Sequence, residues 1–206
     1  MLAPNVKKRL KAIQQRGGKL LVLDPRRSET AAIADEHVFI RPGSDAFFLF
    51  AMVNEIFTAD LVDLGHLASA VTGMEQLRAL AAEFTPEAVA DITGIDAATT
   101  RRITREFSVA KRACCYGRIG TCTVEFGTLA SWLVDVIGIL TGNMDSEGGM
   151  MFPRPATGEL EPGPEAAFTP GRYHSAVRQF PEINGQLPCA VMAEEIDSAT
   201  EDKRID

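Results

Sequence analysis

Basic charge is what this chain has least of relative to its size: 21 Lys and Arg face 28 Asp and Glu, a formal charge of -7. No run of Lys and Arg exceeds the three residues Lys7-Lys8-Arg9, and aromatic residues make up 7% of the chain. A protein that tracks phosphates is normally basic, with interleaved aromatics, so nucleic acid is not an expected partner. Cysteine is also sparse. Cys114, Cys115, Cys122 and Cys189 include no pair with the two-residue gap typical of zinc or iron-sulfur ligands, and read as free thiols. His37, His66 and His174 lie far apart, without companion carboxylates at ligand spacing, so no metal ligand and no nucleophile with a base is expected. The opening Met1-Leu2-Ala3-Pro4-Asn5 runs into charge without an apolar stretch, so no signal peptide is expected. The longest apolar segment, Leu129 to Leu140, is about half a membrane span and contains Asp135, so no membrane span is expected either. These absences suggest a cytoplasmic setting.

What is present suffices for a core: 206 residues, 46% of them hydrophobic. Lys19-Leu20-Leu21-Val22-Leu23 is too short for a helix and suits a strand buried on both faces. It stops at Asp24-Pro25, which cannot continue a ladder. Ser28 is placed to cap a helix running to Asp35, and His37 to Ile40 reads as a second strand leading into Arg41-Pro42-Gly43. A strand, helix, strand unit belongs to a parallel sheet. Ligands bind beyond the carboxyl ends of such strands, where Asp24, Arg26 and Arg27 would stand.

Before that unit, Pro4 to Arg16 reads as a helix stopped by Gly17-Gly18. After it, Ser44 is placed to cap a long apolar helix from Asp45 to Phe57. Thr85-Pro86-Glu87 opens a short helix ended by Gly94, and Asp96 caps another through Phe107. Lys111 to Tyr116 has strand character, Gly117 to Gly120 suggest a loop, and Glu125 to Leu140 a helix. Seven of the eleven prolines lie from Pro153 to Pro188, which predicts an extended, irregular tail. The expected fold is therefore α/β, a three-layer, mostly parallel Rossmann-like sheet with flanking helices, over 1–152. Residues 153–206 form the Pro/Gly-rich extended segment.

Asp45 offers the most specific chemistry. A carboxylate accepts two parallel hydrogen bonds from a guanine ring N–H and its exocyclic amine. The same position also fits a residue that only complements the helix dipole, worth ~0.5 kcal/mol. Arg26 and Arg27 could hold phosphate or ribose, or could be solvated surface residues. The stretch Tyr116-Gly117-Arg118-Ile119-Gly120-Thr121-Cys122 has glycines that would let backbone N–H groups approach an anion, yet lacks the Lys-Ser/Thr of a P-loop.

Taken in order, several motifs resemble the large subunits of the molybdopterin oxidoreductase family. They are Asp24-Pro25-Arg26-Arg27-Ser28-Glu29-Thr30-Ala31, Ala34-Asp35-Glu36-His37, Arg41-Pro42-Gly43-Ser44-Asp45, Phe84-Thr85-Pro86-Glu87 with Ile92-Thr93-Gly94, Gly117-Arg118-Ile119-Gly120, and Leu140-Thr141-Gly142-Asn143 with Gly148-Gly149. Tyr116 to Trp132 and Ala193 to Asp197 are most similar to formate-dehydrogenase-like or nitrate-reductase-like members. The resemblance implies molybdopterin guanine dinucleotide carrying molybdenum or tungsten, a small-molecule redox substrate and an electron-transfer partner. It implies that Asp24, Pro25, Arg26, Arg27, Thr30, Pro42, Gly43 and Asp45 surround a guanosine, and that Gly117, Arg118, Gly120 and Thr121 approach the pterin.

Family members also carry cysteines for a [4Fe-4S] cluster, a residue that ligates the metal and a C-terminal barrel, none of which is recognisable here. The chain is therefore expected to be an internal piece of a two-electron oxidoreductase, inactive alone, with iron-sulfur ligands elsewhere in the parent. The alternative is a non-catalytic structural relative in an electron-transfer complex that has lost the cofactor.

Overall fold

The structure is a computed structural model and describes residues 5–152, 171–183 and 186–198. The prolines from Pro153 to Pro170 lie outside the described residues, so the extended tail expected there is not described. Two compact units divide the chain, Met1–Phe152 and Pro153–Asp206.

The first unit begins with α1 (Val6–Gln15), β1 (Leu21–Leu23), α2 (Glu29–Ile33) and β2 (Glu36–Val38). β1 and β2 pair in parallel, Leu21 opposite Glu36 and Leu23 opposite Val38, as a right-sized strand, helix, strand unit requires. The wider sheet is not seen: among the described residues the sheet has two strands, and helices dominate. β1 is half-buried along its length, with Leu21 and Leu23 packed at the margin of the core. Residues 111–116 form no strand: 111 and 112 bend, and 113–116 have no regular structure. No neighbouring strand supplies a ladder, and the Asn143 side chain takes up one of its amides, with Ala113 N–H donating to Oδ1 at 2.8 Å.

The core is built on α3 (Asp45–Thr58), where eleven of fourteen residues are buried. A helix apolar nearly all round has to be surrounded, and α3 packs against α4 (Met74–Ala81), α5 (Pro86–Thr93), α6 (Ala97–Val109) and α8 (Gly127–Leu140). Ile56, Val53, Leu133 and Ile137 are fully buried at those contacts. The Phe50 and Phe84 rings stack at 4.5 Å. Thr85 Oγ1 caps α5 by accepting from Ala88 N–H, with Pro86 at the first helical position, and Asp96 caps α6 in the same way through Thr99 N–H.

In the second unit, Glu182 is fully buried and its carboxylate accepts from the Arg172 guanidinium at 2.5 Å. Glu195 in α9 (Met192–Asp197) accepts from the N–H groups of Ala176 and Val177 at 3.1 and 2.7 Å.

Candidate functional site

Parallel pairing decides where the motifs lie. β1 and β2 run in the same direction, so the turn Asp24 to Arg27 and the corner Arg41 to Asp45 both emerge at the carboxyl edge of the sheet.

At the first of these, Asp24 N–H donates to Val38 O at 3.2 Å, and Asp24 Oδ1 accepts from Arg26 N–H at 2.8 Å, closing an Asx turn. The Asp24 carbonyl lies 3.0 Å from His37 Nε2, and the His37 ring lies 4.4 Å from that of Phe39. Ser28 then caps α2. Pro25, Arg26, Arg27 and Thr30 are exposed, and neither arginine side chain makes a hydrogen bond or ion pair with any described residue. Two exposed cations at a sheet edge, neither paired with a described residue, are available to an anion.

At the second, Pro42 is exposed and Gly43 has a φ of +81°, a left-handed corner that suits glycine, with open space where a Cβ would stand. Ser44 occupies the N-cap position of α3 without capping it; its Oγ instead donates to Arg41 O at 2.7 Å. Asp45 follows, half-buried, with no cation paired to it among the described residues, and burial raises its carboxyl above the ordinary value. A carboxylate that loses hydration without gaining a cation has unused acceptor capacity.

The glycine loop departs from expectation. Residues Ile119–Cys122 wind into a one-turn helix, α7, rather than a loop. A Cβ on Gly117 would stand 2.7 Å from Thr121 Oγ1, so the close approach that Gly117 permits is to its own chain. Thr121 Oγ1 donates to Arg118 O at 2.7 Å, the exposed Arg118 guanidinium donates to Tyr116 Oη at 2.9 Å, and Gly120 faces open space. Shortly after this stretch, the Phe126 ring meets Phe47 in the first turn of α3 edge-on at 6.1 Å.

Three residues were given no role of their own by the sequence. Arg41 is fastened to the end of α5, its N–H donating to Thr93 O at 2.8 Å and its guanidinium to Asp91 O. Asn143, buried, joins residues 113 and 141. Glu55, buried in α3, meets Arg101 at 3.3 Å and Arg105 at 2.8 Å. A signal for Glu55 exists in the chain: one acid inside an apolar run, and two arginines four apart on a later helix. Among the described residues no group of three or more His, Cys, Asp or Glu could hold a metal ion, and no helix is long and apolar enough to cross a membrane.

No protein-family model matches the chain. Over 131 residues it is 35% identical to formate dehydrogenase H of Escherichia coli (strain K12), covering 64% of this chain and 18% of that protein. It is 31% identical over 147 residues to the thiosulfate reductase molybdopterin-containing subunit PhsA of Salmonella typhimurium, covering 68% of this chain and 19% of that subunit. Among solved structures, acetylene hydratase from Pelobacter acetylenicus superposes with a TM-score of 0.63 and 31% identity, over 66% of this chain and 19% of that one. The chain spans about a fifth of the length of these relatives.

Proposed function

The chain is homologous to the molybdopterin oxidoreductases, and on that premise we propose that residues 1–152 hold the guanosine end of a molybdopterin guanine dinucleotide. The parent in this reading is a two-electron oxidoreductase resembling formate dehydrogenase or nitrate reductase, in which the two-stranded unit is part of a larger three-layer parallel sheet. The supporting observation is the shared carboxyl edge of β1 and β2, from which emerge two arginines and one half-buried carboxylate that pair with no described residue. Asp45 accepts from the base, Gly43 leaves room beside it, and Asp24, Pro25 and Thr30 line the sugar. Arg26 and Arg27, with Pro42 across the rim, meet the phosphates. Gly117, Arg118, Gly120 and Thr121 stand toward the pterin. When bound, the cofactor would supply a molybdenum or tungsten ion that exchanges two electrons with substrate, which a [4Fe-4S] cluster held by residues elsewhere in the parent would pass on singly. A small-molecule substrate, an electron-transfer partner and a cytoplasmic setting complete the proposal, with 153–206 leading on toward the remainder of the enzyme.

NMR titration of the 206-residue chain with GMP and with AMP tests it. GMP is expected to shift the amides of residues 24–27 and 43–46 and to bind several-fold more tightly than AMP, whose ring nitrogen is an acceptor at the position where guanine donates. Asp45→Asn is expected to erase that preference. Equal binding of both nucleotides, or shifts confined to other residues, would refute the assignment.

A second reading, a structural relative without the cofactor, draws on one observation: Gly117 to Thr121 bonds to itself and offers no open cradle. Metal and pterin analysis of the full-length parent separates the two readings, since a folded protein devoid of both supports the structural role.

A further inference from the structure

Arg41 is exposed, yet its backbone N–H, its carbonyl and one end of its guanidinium are all engaged. Its N–H donates to Thr93 O at 2.8 Å and its guanidinium to Asp91 O, both at the C-terminal end of α5. Its carbonyl accepts from Ser44 N–H at 3.2 Å and from Ser44 Oγ at 2.7 Å. The last carbonyls of a helix carry the negative end of its dipole and lack intrahelical partners, so a guanidinium is well matched to them. Gly94 completes the grip. Its φ of +76° ends α5, and a Cβ there would lie 3.4 Å from Arg41 Cγ and 3.6 Å from Nε.

The anchor is itself rigid. Thr93 is buried, its Oγ1 donating to Val89 O at 3.0 Å and accepting from Ile95 N–H at 3.2 Å. The other end of α5 is held by Glu87, which pairs with Arg101 at 2.5 Å, and Arg101 in turn reaches Glu55 in the middle of α3. Both ends of α5 are thus tied to the elements that flank the corner leading into Asp45.

We propose that Arg41 is a positioning residue, which the C-terminal end of α5 uses to set the direction in which the first turn of α3 presents Asp45. The proposal rests on the reading of Asp45 as the base-recognising carboxylate. Arg41 then differs in role from Arg26 and Arg27: its guanidinium donates to the Asp91 carbonyl, whereas theirs bond no described residue.

Three variants of the 206-residue chain test it, read by amide exchange, by GMP and AMP titration, and by thermal unfolding. Arg41→Met keeps most of the aliphatic stem and loses the donors; exchange at Ser44 is expected to rise about tenfold, the effect of one weakened hydrogen bond and its turn. Val89 in α5 and Val53 in α3 are expected to keep wild-type exchange, and the preference for GMP to fall several-fold. Arg41→Lys, which can still donate to Asp91 O, is expected to restore most of both effects. Gly94→Ala strains the left-handed corner that ends α5, and with it the carbonyls that Arg41 grips, without altering Arg41 itself, and is expected to reproduce the Met result. Wild-type exchange at Ser44 in Arg41→Met, or faster exchange there with the GMP preference intact, overturns the proposal. So does a uniform rise across α3 and α5, which marks a purely structural role. If the wild-type chain shows no GMP preference, the reading of Asp45 has failed and the proposal falls with it, while Ser44 exchange separately reports whether the grip exists.

Discussion

Asp45 trades stability for availability. Its carboxyl titrates above the ordinary 3.8 because burial disfavours the charged form, so the folded chain binds that proton more tightly than the unfolded one. The sign follows: the stability it confers is greatest below 3.8 and is lost as pH rises through the raised folded value. Asp45→Asn escapes this loss. At pH 7 it is expected to unfold at a slightly higher temperature than wild type, by the equivalent of less than about 1 kcal/mol, since half-exposure and the helix dipole both blunt the penalty. The gap is expected to close toward pH 3 in thermal scans. Asn143 illustrates the opposite case, a residue that only stabilises. Its side chain accepts from Ala113 N–H at 2.8 Å, partly buried, and donates to Thr141 O at 3.1 Å in the interior. Asn143→Ala is expected to cost about 2–3 kcal/mol in denaturant titrations, because it takes the partner from the buried Thr141 carbonyl and from the Ala113 N–H and frees segment 111–116.

Among the elements, β2 and α6 are joined by charge. Glu36 accepts from the Arg102 guanidinium and from Lys19 at 2.8 Å, while Glu106 binds the same Lys19 at 2.6 Å. Arg102 first, and Lys19 second, hold the Glu36 carboxyl below its ordinary 4.5. That stability is present above 4.5 and is lost as pH falls through the lower folded value. Glu36→Gln is expected to destabilise by about 0.5–1 kcal/mol at pH 7, a loss that shrinks in high salt and vanishes below the acid transition, since the pairs are largely solvent-screened. Elements of this kind were legible where the signal is local. Ser28, Thr85-Pro86, Asp96 and Gly94 mark helix ends through bonds within three or four residues, and the structure places caps there. Signals that depend on distant partners were not. Tyr116 and its predecessors carry strand character, but a strand needs a neighbour, and no residue pattern shows that Asn143 takes its place. Ser44 has a capping side chain, yet the Arg41 carbonyl, held in place by α5, takes its hydroxyl first.

At the scale of the whole molecule, the candidate site was legible by motif and incomplete by enclosure. The sequence led to both motifs at the sheet edge because each is contiguous; the anchor behind the second comes from α5, some fifty residues away along the chain (|i−j| = 50 for Arg41 and Asp91), and only folding reveals it. Enclosure has a thermodynamic consequence. A mononucleotide of roughly two dozen heavy atoms, fully surrounded, gains ~0.3 kcal/mol per atom, or ~7 kcal/mol, a Kd of about 10 µM. Residues 24–45 contribute one rim, and the chain spans about a fifth of the length of its relatives. With roughly half of those contacts made, ~4 kcal/mol remains, a Kd of about 1 mM. GMP is therefore expected to bind the 206-residue chain in the millimolar range by NMR titration, with affinity falling as ionic strength rises because Arg26 and Arg27 meet the phosphate in open solvent. A Kd of a few micromolar would instead mean that these residues already enclose the nucleotide, as a self-sufficient guanine-nucleotide module would, and the cofactor-cradle reading would give way to that one.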